Sequence, residues 1–169
     1  MTKMSRRGFL GGLAGAAGLG TAQAKDGVTR PDPATIPDYD KWQLSEAEWK
    51  ERLSPQAYHV LRKEGTERAG TSPLNDEKRE GTFHCAGCDY PLFSSDTKYD
   101  SGTGWPSFYD VLPDAIGTSK DNKLFYTRTE YHCARCGGHQ GHVFEDGPQP
   151  TGLRYCNNGV ALTFRPKEA

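Results

Sequence analysis

The sequence predicts a mainly β protein of the α+β class: a small antiparallel β domain with short helices on its N-terminal side. Three observations carry that prediction. Past Gly81 the chain is a series of short strand-like runs cut by turn signals such as Ser101-Gly102, Leu112-Pro113-Asp114, Asp121-Asn122 and Asn158-Gly159. Before it stand two helix-start signatures, Ser45-x-x-Glu48 and Ser54-Pro55. The composition is poor in apolar residues (34%) and rich in Gly (20) and Pro (11), which disfavours long helices. At 169 residues there is material for one domain with a real core, plus extensions.

Residues 1–24 read as an address. Arg6 and Arg7 precede an apolar, Gly/Ala-rich run from Phe9 to about Leu19, and Ala22-Gln23-Ala24 is a small-x-small cleavage pattern. The order Ser-Arg-Arg-x-Phe-Leu resembles a twin-arginine export signal, so a periplasmic location is expected, with the membrane met only during export. An uncleaved anchor is the competing reading. With Lys3, Arg6 and Arg7 set aside, the remaining chain carries 18 basic and 22 acidic residues, a net charge of −4. A mildly acidic body argues against a nucleic-acid partner, which needs a basic face.

Residues 25–43 are rich in Pro and Asp and read as a linker or extended arm, which leaves 44–169 as the domain proper. Ser45 to Glu48 form a capping box opening a helix that carries Trp49. Ser54 caps a second helix with Pro55 in its first turn, and Gly65 is its stop. Thr66 to Glu80 is polar and reads as a surface loop. Strands are expected over 81–85, 123–128, 129–133, 142–144, 153–156 and 160–164. In the last of these, Val160, Leu162 and Phe164 alternate with Ala161 and Thr163.

Five cysteines fall into two Cys-x-x-Cys pairs, Cys85/Cys88 and Cys133/Cys136, and one remainder, Cys156. The x-x spacing lets two thiolates of one knuckle face a single ion, and four thiolates saturate tetrahedral Zn2+, leaving no open position; such a site is structural. About 44 residues separate the pairs, so a subdomain folds between them. Two local disulfides or a redox pair are the alternatives, and His84 and His132 are competing ligands by position.

Cys156 has no partner at knuckle spacing. Arg154, two residues back along a strand, shares its face and is positioned to favour a thiolate. His139 and His142 are candidates to donate protons or hydrogen bonds to a reacting oxygen. An inert buried thiol is the plain alternative for Cys156. The stretch Ser101-Gly-Thr-Gly-Trp-Pro-Ser-Phe108 forms no regular element and reads as a rigid loop presenting Trp105 as an aromatic wall, with Trp105 as an ordinary core residue the plain alternative.

SGTGWPSF, the two Cys-x-x-Cys pairs, GHQGHVFEDGPQPTGLRYCNN and VALTF, in that order, resemble the methionine sulfoxide reductase B family over about Leu74 to Phe164 and the two preceding helices. The resemblance implies two antiparallel sheets with a zinc site opposite the active site. It implies reduction of methionine R-sulfoxide, free or in oxidised proteins and peptides. By motif position, Cys156 is then the nucleophile and becomes a sulfenic acid. His139 and His142 bind and protonate the sulfoxide oxygen, Asn158 and Arg154 join them, and Trp105 and Phe108 contact the substrate. Many members carry a resolving cysteine where this chain has Thr103. The resemblance therefore implies a one-cysteine enzyme regenerated by an external thiol, thioredoxin-like or other. A zinc-ribbon binding module and a cysteine redox sensor are the readings from other classes.

Overall fold

The computed structural model describes Thr29 and residues 31–124 and 126–168; the leader expected over 1–24 lies outside them. Two antiparallel sheets face each other. One contains β1 (Gly81–Cys85), β2 (Pro91–Ser94) and β9 (Leu162–Pro166) in the order β2-β1-β9. The other contains β3 (Lys98–Tyr99), β4 (Ser107–Phe108), β5 (Ile116–Asp121), β6 (Arg128–Cys133), β7 (His139–Phe144) and β8 (Arg154–Asn157) in the order β3-β4-β8-β7-β6-β5. Helices α1 (Glu46–Arg52) and α2 (Pro55–Lys63) precede them. No helix among the described residues is long and apolar enough to cross a membrane.

Alternation builds the core. In β1, Phe83 and Cys85 are buried while Thr82 and His84 are half-exposed; in β6, Tyr131 and Cys133 point inward while Arg128, Glu130 and His132 take the other face. Between the sheets the rings of Phe93 and Phe108 stack at 4.1 Å, and Phe83 meets Phe108 edge-on at 5.0 Å. Each fully buried aromatic contributes about 1.5–3 kcal/mol of transfer free energy. Phe108 is therefore a central core residue with no solvent exposure. That corrects its expected place against substrate: β4 turns its ring away from the loop that precedes it.

The N-terminal helices follow their cap chemistry. Ser45 and Glu48 make the reciprocal box, with Ser45 N–H donating to Glu48 at 2.7 Å, and the Ser54 hydroxyl accepts from Ala57 N–H at 3.2 Å. α2 buries Ala57, Val60 and Leu61. Gly65 does end α2, though not by a left-handed φ. Glu64 takes that conformation (φ 53°). A Cβ at Gly65 would fall 2.3 Å from the exposed His59 ring, which can swing aside, and 2.9 Å from the His59 carbonyl oxygen. The described part of the arm packs on the domain: Thr29 bonds to Thr118 on the edge of β5, and Trp42 stacks on Trp49.

Two expected elements shift. The strand expected over 123–128 lies on the wrong side of its turn: β5 ends at Asp121, and β6 begins at Arg128, its partner. The final strand starts at Leu162 because Gly159–Ala161 forms a 3-10 turn, which buries Ala161 and exposes Thr163.

Candidate active site and metal centre

The two knuckles have the same geometry. In each, the residue four past the first cysteine is left-handed, Asp89 (φ 61°) and Gly137 (φ 68°), and donates its N–H to that cysteine's carbonyl, at 2.7 and 2.9 Å. Cys85, Cys88, Cys133 and Cys136 are all buried, with ligand atoms within 4.8 Å of one another. The Cys88–Cys133 sulfurs lie 3.5 Å apart and the Cys85–Cys136 sulfurs 3.7 Å. Tetrahedral zinc with bonds of about 2.3 Å separates its sulfurs by about 3.8 Å. The residues present fit such an ion. Hydrogen bonds among the clustered sulfurs push the Cys85 thiol up, and burial does the same for Cys133; a bound dication would stabilise them as thiolates. His84 and His132 are not in the cluster.

Cys156 sits at the centre of the larger sheet. Its register partner on β4 is Ser107 and on β7 is His142; His142 pairs on with Glu130 of β6, and Glu130 with Ser119 of β5. Directly paired residues point to the same face, so Ser107, Cys156, His142, Glu130 and Ser119 form one row across the sheet, with neighbouring Cβ atoms about 5 Å apart.

Two histidines three apart on a regular strand point to opposite faces. Here a bulge intervenes. Tyr131 pairs with Gly141 but His132 pairs with His139, which leaves Gln140 as the extra residue. The bulge brings His139 onto the face of the row, where its ring centroid lies 5.5 Å from that of His142. Gln140 turns the other way and donates to the Cys85 sulfur at 3.4 Å.

Each histidine is held by a carboxylate. His139 Nδ1 lies 2.7 Å from Glu130, and His142 Nε2 lies 2.8 Å from Asp121. Burial by itself raises the Glu130 carboxyl, but the bonds and charge from His139, with Ser119 and His132, hold it below its ordinary value. Burial pushes His142 down despite Asp121. His139 is 2% exposed, and among the described residues its Nε2 is a buried nitrogen without a hydrogen-bond partner.

Arg154 is clamped by two bonds to Asp146, at 2.8 and 2.9 Å, and its guanidinium stacks on Phe144 at 4.3 Å. Its charge draws the Cys156 thiol down, as does a hydrogen bond with Thr103, but burial outweighs both and the thiol lies above its ordinary value. This reverses the expected balance: Cys156 rests as a thiol. Thr103 itself continues into a hydroxyl chain, with Ser101 at 2.9 Å and Ser101 to Ser107 at 2.7 Å. Trp105 is half-buried, and its indole N–H donates to the Glu67 carbonyl at 3.2 Å.

Asn158 is expected to face substrate, yet it is buried. Its Oδ1 accepts from Glu67 N–H at 2.9 Å and its Nδ2 donates to the Gln140 carbonyl at 3.0 Å. One amide hydrogen remains uncommitted by those two bonds. Sequence reasoning missed Glu67, Asp121, Glu130 and Gln140, acids and an amide scattered through polar stretches without a motif. For Gln140 there was one signal: a residue between two catalytic-type histidines at a spacing that a regular strand cannot place on one face.

A reactive-type thiol backed by carboxylate-held histidines, on a two-sheet domain tied by four buried cysteines, defines a thiol-enzyme class of site. A family model described as the SelR domain matches residues 53–166, which takes in α2 and leaves α1 outside. The chain is 53% identical over 123 residues to peptide methionine sulfoxide reductase MsrB of Agrobacterium fabrum, covering 72% of this chain and 91% of that protein. It is 55% identical over 125 residues to the MsrB of Methanosarcina barkeri (73% and 88%). To the chloroplastic peptide methionine sulfoxide reductase B1 of Arabidopsis thaliana it is 46% identical over 142 residues (82% and 70%). The chain belongs to this methionine sulfoxide reductase B family, the SelR-domain proteins.

Proposed function

We propose that this protein reduces the R-sulfoxide of methionine in peptides and proteins through Cys156, and that an external thiol completes each cycle. Family membership supports the first part: the enzyme is a peptide-methionine (R)-S-oxide reductase. The observation that carries the mechanism is the shared row and face of Cys156, His142 and Glu130, with His139 added by the bulge.

The Glu130 carboxylate accepts from His139 Nδ1–H, so the neutral ring presents a lone pair at Nε2; Asp121 does the same for His142 and leaves its Nδ1. A thiol held up by burial needs such a base. The histidine takes the Cys156 proton, the sulfur attacks the sulfoxide sulfur, and the imidazolium returns the proton to the sulfoxide oxygen. The S–S bond made by that attack then breaks as the hydroxyl passes from the substrate sulfur to Cys156, so the substrate loses its S–O bond and Cys156 gains one. Methionine leaves, and Cys156 is a sulfenic acid. Arg154 and the free hydrogen of Asn158 offset charge developing on oxygen. Trp105 packs on the substrate methyl.

Cys156 is the cysteine that remains once the four knuckle cysteines hold zinc, and Thr103 offers no sulfur. A first external thiol condenses with the sulfenic acid, releasing water and leaving a mixed disulfide; a second thiol, as in a thioredoxin-like donor, reduces it. The twin-arginine-like leader supports export to the periplasm, where oxidised exported proteins are the substrates.

The test uses separate R and S sulfoxide epimers with dithiothreitol as donor. Turnover of the R epimer is expected, with Cys156→Ser inactive and one oxidation equivalent trapped as sulfenic acid. Turnover of the S epimer alone, or a disulfide joining Cys156 to a knuckle cysteine, would sink the proposal.

A further inference from the structure

We propose that Glu67 is a positioning residue of this site: its buried carboxylate holds the turn behind Cys156, and its own backbone fixes both Trp105 and Asn158. The inference rests on the reading of Cys156 as nucleophile and Trp105 as the substrate's aromatic wall.

Glu67 is 6% exposed, in a stretch whose composition is that of a surface loop. Four bonds converge on it. Its carboxylate accepts from Gly159 N–H at 2.6 Å and from Val160 N–H at 2.9 Å. Its backbone N–H donates to Asn158 Oδ1 at 2.9 Å, and its carbonyl accepts from the Trp105 indole at 3.2 Å.

The carboxylate replaces a missing cap. Gly159–Ala161 is a 3-10 turn that begins directly after the nucleophile strand and Asn158, and Asn158, in the cap position, makes no side-chain cap bond. Glu67 satisfies those N–H groups from 92 and 93 residues away. Asn158 is thereby released to reach Gln140 and Glu67, with one hydrogen to spare. The turn lies close against its neighbours: a Cβ on Gly159 would fall 1.8 Å from the Ser72 hydroxyl and 3.2 Å from the Glu67 carboxylate. Two convergent N–H donors call for two acceptor oxygens. An amide in place of the carboxylate turns an NH2 group against one of them, and alanine leaves both buried donors unpaired. Either change loosens Glu67, which bonds to both Trp105 and Asn158, while leaving the core rings and the zinc knuckles intact.

The experiment compares wild type, E67Q and E67D as full-length zinc-loaded chains by three readouts. These are kcat/KM on an R-sulfoxide peptide, the rate of Cys156 alkylation by iodoacetamide, and the 15N–1H indole resonance of Trp105 assigned with W105F. For E67Q, kcat/KM is expected to fall about 10- to 100-fold, as for a small misplacement remote from the chemistry. The Trp105 resonance is expected to move, while alkylation and the Trp42 and Trp49 resonances stay as in wild type. E67D keeps both acceptors on a shorter stem and is expected to recover part of the loss; it also serves if E67Q does not fold. An unmoved Trp105 resonance with wild-type kcat/KM overturns the proposal. So does a fall in which alkylation and all three indoles change together, since that marks a general loss of structure. A wild type unable to reduce the sulfoxide would sink the functional reading, and the indole resonance would still decide the role of Glu67.

Discussion

Cys156 is defined at the residue scale by a contest between burial and charge. Arg154 and Thr103 favour the thiolate, but burial dominates, so the resting group is protonated near neutrality. Its folded value lies above that of an ordinary cysteine, so alkylation is expected to be slow at pH 7 and to climb through pH 9. Arg154→Met, which removes the favourable charge, should shift that profile further up. A wild-type midpoint below pH 8 in an iodoacetamide titration would contradict this balance. Residue identity made Cys156 and the knuckle cysteines legible, since thiols are few and their spacing carries coordination chemistry. Phe108 misled because an aromatic in a loop motif reads alike whether it faces substrate or core. Glu67, Glu130 and Asp121 were illegible because acids in polar stretches look solvated until their partners, on other strands or turns 9 to 93 residues away, are placed beside them.

At the scale of the element, β7 decides the site. Its bulge turns His139 to the face of His142 and sends Gln140 to the opposite side. The strand also approaches β8 so closely that a Cβ on Gly141 would lie 1.9 Å from the Cys156 carbonyl oxygen. Backbone on one side and backbone on the other cannot give, so Gly141→Ala is expected to cost about 1–3 kcal/mol and to displace β8. Denaturant unfolding beside kcat/KM measures both; a variant as stable and active as wild type would mean that the strands separate freely. The helices were legible because caps are local chemistry. β5 was not, because Gly117, Thr118, Ser119 and Lys120 show neither strong alternation nor bulk, and the strand exists by pairing with β6 and with Thr29.

Over the whole molecule the four-cysteine cluster joins the two sheets. Cys85 ends β1 of the smaller sheet and Cys133 ends β6 of the larger. From Cys85, Gln140 and Asn157 continue as a buried chain to Tyr131, Asn157 donating to Gln140 at 3.3 Å and accepting from the Tyr131 hydroxyl at 2.7 Å. Zinc bound by such a cluster contributes folding free energy directly, about 10–16 kcal/mol in small zinc peptides. One equivalent of zinc is expected in folded protein, and a strong chelator should unfold the domain as the four knuckle thiols become titratable. Metal-free protein that keeps its fold with all four thiols modified would show that the cluster is not a structural zinc site.

The sequence alone determined the chemistry available: four sulfurs in two knuckles, one further thiol at Cys156, the histidines His139 and His142, and Thr103 in a Gly-rich loop. It also determined the class, because alternation, turns and caps are short-range patterns. Only the tertiary structure decided which groups work together. Register aligned Cys156 with His142 and Glu130, a single extra residue moved His139 to their side, and burial set the resting state of the thiol. Those outcomes depend on contacts between residues far apart in the chain and on water excluded from between them, neither of which any local stretch encodes.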